Sequence, residues 1–337
     1  MRGVIMHAPG DVRVEDRDDP TILEPTDAII RIAASCICGS DLWPYRGADL
    51  PDHMPMGHEY VGVVTEIGAD VKNVKIGDFV VGSFFASDNT CEICQAGYQS
   101  RCVHATGLDG TQAEFARIPL ADGTLVAALG QPDADLIPSL LAASDVLGTG
   151  WFAAVAAEVG PGKTVAVVGD GAVGLLGILA ARELGAARII AMSRHADRQE
   201  LAREFGATDV VEERGDEGVA KIKELTGGLG AHSVIEAVGT QESMMQAIRA
   251  TRAGGHVGYV GVSHDVSLDG TELFFSGVHL HGGPAPVRRF LPELIQLIWD
   301  RRINPGKVFD LTLPLEQAAD GYKAMDERRA TKVLLTV

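Results

Sequence analysis

The run TVAVVGDGAVG, Thr164 to Gly174, constrains this chain more than any other stretch. An apolar strand-like segment leads into a GxGxxG turn, Gly169, Gly171 and Gly174, and then into the helical pattern AVGLLGILAARELGA. Alone, GxGxxG is a weak signal. Behind a strand, ahead of a helix and inside a strand–helix–strand unit, it is a dinucleotide fingerprint. Gly169 allows the tight turn, Gly171 lets the backbone approach a pyrophosphate, and Gly174 lets the helix pack closely on the strand. Ala172 and Val173 open the helix whose N-terminus faces the phosphates. The other reading is an ordinary glycine-rich turn. The alternation continues through RIIAMS, a helix ending near Phe205, DVV, HSVIEAVG and HVGYVGV. It predicts a doubly wound parallel sheet with helices on both faces, an α/β fold.

The remainder reads differently. Residues 1 to about 145 are short alternating runs broken by Gly, Pro and Asp, such as AIIRIAAS and YVGVVTEIG, the pattern of an antiparallel, barrel-like β domain. After Pro284 come one amphipathic helix (Val287 to Asp300), an Asn304-Pro305-Gly306 turn and a closing strand, KVLLTV. The 337 residues exceed what one core usually serves, and 46% hydrophobic residues can fill two. The expected division is 1–148, an inserted dinucleotide-binding domain at 149–286, and a return to the first domain at 287–337.

Charge and cysteine usage exclude several classes. A net charge of −17, with no basic run longer than a pair, argues against nucleic acid as a partner, because counterion release needs clustered Lys and Arg. No charge-free apolar stretch of about 18 residues predicts a membrane span, and the first residues alternate like a strand rather than a leader. The cytoplasm is the expected compartment. Five cysteines, an odd count with CxxC spacing, read as metal or redox chemistry rather than a disulfide framework.

Two groups of residues carry the chemistry. In GHEYVGVVTEIG, His58 and Glu59 precede a strand whose glycines bend it. Cys38, in ICGSDLW, follows another strand, and Asp145 falls at the expected domain boundary, where ligand clefts tend to form. Cys, His and a carboxylate give zinc three ligands and leave its fourth position open, as a catalytic site requires. The second group is DNTCEICQAGYQSRC, with Cys91, Cys94 and Cys102.

GHExxGxxxxxG, CGSD, the CxxC lobe and the late glycine fingerprint, in this order along the whole chain, resemble the zinc-dependent alcohol dehydrogenases of the medium-chain dehydrogenase/reductase superfamily. The resemblance implies a Rossmann domain inserted in a GroES-like β-barrel catalytic domain. It implies a catalytic zinc on Cys38, His58 and Asp145, with Glu59 as a neighbouring carboxylate able to approach the metal. The family's structural zinc lobe has four cysteines, and stepping back three from Cys91 lands on Asp88. Asp88, Cys91, Cys94 and Cys102 are therefore the expected second zinc set; the alternative is a turn-capping Asp88 beside three buried thiols. Cys36 reads as a core residue.

The same resemblance places Ser40 to take the proton of the substrate hydroxyl and Asp41 to fix the tautomer of His58. A histidine three residues beyond the serine continues the proton path in many relatives; here that residue is Trp43. Trp43 and Trp151, with Phe84 and Phe85, either wall a cleft for apolar or aromatic substrates or simply pack. His53, His279 and His281 read as structural. The implied reaction is hydride transfer between NADP(H) and an alcohol/ketone or aldehyde pair, probed most naturally with secondary or aromatic alcohols. A zinc-free quinone or enoyl reductase and a non-catalytic NADPH-binding protein are the alternatives, neither of which needs all three zinc ligands. The resemblance also implies a homodimer or homotetramer, joined through the strand around Val278 to Leu280.

The cofactor choice rests on RIIAMSRHADR, residues 188–198. An acidic residue about 20 positions beyond the glycines binds the ribose 2′-hydroxyl of NAD. Here that place holds Ser193 and Arg194, which donate to a 2′-phosphate instead, and Arg198 lies one turn further on. NADP is the expected cofactor, the alternative being a polar strand end that accepts both.

Overall fold

The computed structural model describes residues 1–48 and 53–337. The chain divides into two compact units, Met1–Gly148 with Pro286–Val337, and Thr149–Ala285.

The first unit is built on a seven-stranded sheet whose centre is the long strand Ala28–Ile37. Its burial is nearly continuous, as befits a run of Ile and Ala covered on both sides. Tyr60–Ile67 pairs antiparallel on one flank, with Ser35 opposite Tyr60, and Val333–Thr336 pairs antiparallel on the other, with Val333 opposite Ile37. The last strand of the chain therefore lies beside one of the first. Phe115–Ile118 also pairs with Ala28–Ile37, and a three-stranded sheet carries the N-terminal hairpin Arg2–Ala8 and Asp11–Asp16. One apolar core gathers Ile30, Ile32, Tyr60, Val64, Val80 and Ile118. A second gathers Val4, Met6, Ile37 and Met56 with Tyr322 and Val333 from the returning segment. Helix Val287–Trp299 buries Val287, Phe290, Leu291, Leu294, Ile295 and Ile298, a stripe at helical spacing.

The second unit is a six-stranded parallel sheet in the spatial order Asp209–Val211, Arg188–Met192, Thr164–Val168, Ala231–Glu236, Thr251–Tyr259, His279–Gly282. The order reverses at Thr164–Val168, the switch point at which open α/β sheets bind ligands. Helix Ala172–Glu183 follows that strand directly. Gly169 at the turn has φ +119, and a Cβ on Gly174 would lie 2.0 Å from the Gly169 carbonyl oxygen, so neither position tolerates a side chain. A Cβ on Gly171 would meet nothing within 4 Å, leaving its backbone open to an incoming ligand. Among the described residues no single helix is long and apolar enough to cross a membrane.

Candidate active site and metal centre

Three strand ends meet in the first unit. Cys38 follows Ile37, His58 and Glu59 precede Tyr60, and Lys332 precedes Val333. Because these strands are neighbours in register, Cys38, His58, Glu59 and Lys332 are brought together although they span most of the sequence. Gly57 sets the approach: its φ is +98, and a Cβ there would lie 2.5 Å from the Gln112 backbone nitrogen. Asp145 comes from the bend between helices Ile137–Ala143 and Val146–Ala156 and is buried.

Cys38, His58, Glu59 and Asp145 each offer a donor atom, all within 4.8 Å of one another. Cys38 Sγ lies 3.8 Å and His58 Nε2 lies 3.5 Å from Asp145 Oδ2. Donors held about 2.0–2.3 Å from a tetrahedral ion sit roughly 3.3–3.8 Å from one another, so these separations fit zinc. The electrostatics point the same way. Burial pushes the His58 imidazole down, but Asp41, Cys38 and Asp145 together lift it well above its ordinary value. Burial pushes the Cys38 thiol up, and Glu59 and Asp145 push it further. The acidic groups here favour positive charge at His58.

Asp41 lies behind His58, its Oδ1 3.5 Å from Nδ1, on the ring nitrogen that faces away from Asp145. Its Oδ2 accepts from the Cys38 backbone N–H at 3.0 Å, Gln112 Nε2 at 3.2 Å and the Tyr322 hydroxyl at 3.4 Å. Glu59 Oε1 accepts from Lys332 Nζ at 2.7 Å, and both side chains are essentially inaccessible. Lys332 also donates to the Ile37 carbonyl. Burial pushes its ammonium down, but Cys36 and Glu59 lift it well above the usual lysine value. Glu59 Oε2 is buried with no hydrogen-bond partner. Ser40 is half-buried beside Asp41, and Trp43 is half-buried on the short helix Leu42–Tyr45. Phe84 stands edge-on to His58 with ring centroids 6.2 Å apart and packs on Phe85. Trp151 and Cys36 are buried. His53, His279 and His281 make ring contacts with His7, His256 and Phe152.

The second donor set, Asp88, Cys91, Cys94 and Cys102, also lies within 4.8 Å. Cys91 and Cys102 Sγ are 3.8 Å apart, the edge expected of two thiolates on one tetrahedral ion. Asp88 Oδ1 accepts from the Thr90 and Cys91 backbone N–H groups, and Oδ2 lies 2.7 Å from His104 Nδ1. Burial opposes ionisation, but those N–H groups and His104 hold the Asp88 carboxyl well below the usual carboxylate range. Burial, Cys91 and Cys102 push the Cys94 thiol up, whereas the backbone N–H groups of Val103 and Cys94 draw Cys91 down.

In the second unit Ser193 sits buried just after strand Arg188–Met192, and its hydroxyl donates to Asp170 Oδ2 at 2.8 Å. Arg198 Nη1 lies 3.2 Å from Asp170 Oδ1, and Arg194, exposed, donates to the Glu212 carbonyl. Residues 24–128 match the family model of the alcohol dehydrogenase GroES-like domain, and residues 172–300 match that of the zinc-binding dehydrogenase. Zinc-type alcohol dehydrogenase B of Aspergillus flavus is 34% identical over 348 residues, covering 99% of this chain and 81% of its own.

The chain belongs to the zinc-type alcohol dehydrogenases of the medium-chain dehydrogenase/reductase superfamily.

The solved alcohol dehydrogenase of Thermus sp. ATN1 has the same fold, with a TM-score of 0.91, 30% identity and complete coverage of both chains. The NADP-dependent isopropanol dehydrogenase of Thermoanaerobacter brockii is 32% identical over 91% of each chain. As a zinc-type alcohol dehydrogenase, the protein is an oxidoreductase of a family that works with zinc and a nicotinamide cofactor. Three charged residues beside these sites escape the sequence reading: Lys332, Asp170 and Arg214. Lys332 had a visible signal, a lone cation heading the apolar strand VLLT. Asp170 had a weaker one, a carboxylate between two fingerprint glycines. Arg214 had none.

Proposed function

We propose that this alcohol dehydrogenase transfers hydride between NADP(H) and a secondary or aromatic alcohol and its carbonyl partner, using Cys38, His58 and Asp145 to hold the catalytic zinc. The observation that carries the reading is the separation of those three donors, which matches a tetrahedral ion. When bound, zinc supplies a Lewis acid at the substrate oxygen and the nicotinamide supplies the hydride acceptor.

The protein's own residues do the rest. Asp41, held by three donors, keeps the proton on His58 Nδ1 and leaves Nε2 free to ligate. Lys332 anchors Glu59 Oε1 and leaves Oε2 without a hydrogen-bond partner, a carboxylate held within reach of the donor cluster, where it would be able to approach the metal. Ser40 takes the hydroxyl proton, and Trp43 stands where a histidine would relay it, so that relay is cut or rerouted. Phe84 gives the site an apolar wall beside His58. Gly169, Gly171, Ala172, Val173 and Gly174 receive the pyrophosphate, and Ser193, Arg194 and Arg198 receive the adenosine 2′-phosphate. Asp88, Cys91, Cys94 and Cys102 hold a structural zinc. We read the protein as a homodimer or homotetramer paired through its outermost strand, His279–Gly282.

A second cofactor reading has one observation in its favour. The Asp170 carboxylate, 2.8 Å from Ser193 Oγ, stands close to where a carboxylate reads the ribose of NAD. The deciding experiment is a panel of alcohols and ketones followed by cofactor absorbance with NADP and NAD, for the native protein and for Ser193→Asp with Arg194→Ala. The native protein is expected to prefer NADP and the double variant NAD. A native preference for NAD, or a double variant still preferring NADP, overturns the cofactor assignment.

A further inference from the structure

The end of strand Arg188–Met192 carries more positive charge than the cofactor reading so far uses. Asp170 is the centre of a cluster: Ser193 Oγ at 2.8 Å, Arg198 Nη1 at 3.2 Å and Arg214 Nη2 at 3.8 Å. Arg198 and Asp170 are mostly buried, with side-chain exposures of 15% and 14%. Arg214 reaches the site from the far side, from the loop beyond strand Asp209–Val211, and donates to the Met192 carbonyl at 3.3 Å. Burial pushes its guanidinium down from the ordinary value, Asp170 draws it up, Arg194 pushes it down and Glu242 draws it up. Two guanidiniums, Arg198 and Arg214, pair with Asp170, while Arg194, next to Ser193 in the chain, is anchored on the Glu212 carbonyl as Arg214 is on that of Met192.

Guanidiniums repel one another, and Arg198 and Arg214 share the single Asp170 carboxylate, with Glu242 acting on Arg214 as well and Arg194 close by in the chain, so the strand end has guanidinium donors that a second anion can take up. A phosphate dianion with three acceptor oxygens matches those donors in charge and in geometry. The second strand's end is where the adenosine ribose sits, which places the 2′-phosphate of NADP here.

We propose that Arg214 is a further donor to the adenosine 2′-phosphate, and that Asp170 is a built-in counter-anion that gathers Ser193, Arg198 and Arg214 and yields them when the phosphate arrives. The proposal rests on the NADP reading and adds to it the two residues that set how strongly the phosphate is preferred. Asp170 has opposite effects on the two states. Without phosphate it offsets the repulsion among the arginines; with phosphate it is a like charge at short range. Asp170→Asn keeps the shape and an acceptor for Ser193 while removing that charge. Arg194 and Arg214 keep their anchors on Glu212 and Met192, so phosphate binding tightens.

The test uses two ligands that differ only by the 2′-phosphate, 2′,5′-ADP and 5′-ADP, titrated calorimetrically into the full-length protein. The native protein binds 2′,5′-ADP more tightly. Arg214→Ala weakens 2′,5′-ADP about tenfold or more, the scale of one charge-assisted bond, and leaves 5′-ADP nearly unchanged. Asp170→Asn tightens 2′,5′-ADP severalfold and does not tighten 5′-ADP. A native protein that does not distinguish the two ligands removes the NADP reading and this proposal with it. A native protein that does distinguish them, with Arg214→Ala losing no discrimination or Asp170→Asn weakening 2′,5′-ADP, overturns this proposal alone.

Discussion

Asp88, Cys91, Cys94 and Cys102 come from one stretch of chain, whereas Cys38, His58, Glu59 and Asp145 are gathered from positions up to 107 residues apart. The first cluster is a local turn. Cys91 caps the short helix Glu92–Gln95, and Asp88 accepts the backbone N–H groups of Thr90 and Cys91, so its geometry is largely set by hydrogen bonds within the same loop. The second is an assembly of strand ends that exists only when Ala28–Ile37, Tyr60–Ile67 and Val333–Thr336 are paired. Their surroundings differ too. His104, which supports Asp88, is 68% exposed, whereas Asp41, Gln112 and Tyr322, which support His58, are all buried. A cluster at the meeting of three strands places chemistry where the framework is stiffest and water least abundant.

The largest expected effect comes from the assembled cluster. Cys38→Ala and Asp145→Ala each open the set of donors, and kcat/KM should fall by about a thousandfold or more, since losing several kcal/mol of charge stabilisation costs that much. Elemental analysis should find one zinc lost and one kept, with far-UV circular dichroism unchanged. Near-native activity in either variant would remove these residues from the catalytic centre.

Asp88→Ala should show the opposite division: the zinc of the lobe lost, the other kept, and activity at 25 °C largely retained. The thermal midpoint should drop by about 5 °C, the scale expected for losing a local brace in a protein of this size. Two zincs surviving in this variant would show that Asp88 does not ligate. An activity loss as deep as that of Cys38→Ala would mean that the two clusters are not independent.

The smallest effect is expected from His104→Ala. The His104 ring bonds Asp88 Oδ2 and is mostly in solvent, while its backbone N–H, which donates to Cys102 Sγ, is kept in the variant, so losing the ring should weaken the lobe's hold on zinc about tenfold in a chelator competition and leave kcat and KM alone. Equal chelator resistance in the variant and the native protein would mean that the backbone N–H groups alone position Asp88.

Much of this was legible before folding. Local patterns fix local structure: strand Thr164–Val168, the turn at Gly169 and helix Ala172–Glu183 follow from an apolar run, three glycines and a stretch of strong helix formers, Leu and Ala, buried all round. The lobe was legible for the same reason, because its donors are spaced along one loop and spacing is visible in sequence. His58, Glu59 and Cys38 could be singled out by motif. Lys332 and Arg214 could not be placed this way. Lys332 reaches Glu59 because the last strand of the chain pairs with Ala28–Ile37, and nothing within KVLLTV says which strand it will join. Arg214 reaches Asp170 because Asp209–Val211 lies next to Arg188–Met192 in the sheet. From the sequence alone follow the two-domain plan, the parallel sheet with its glycine turn and the close spacing of Asp88, Cys91, Cys94 and Cys102, since these patterns are written along the chain. Only the tertiary structure decided which buried charges answer one another. An unpaired charge in the interior is costly, and its partner is chosen by strand order rather than by sequence distance.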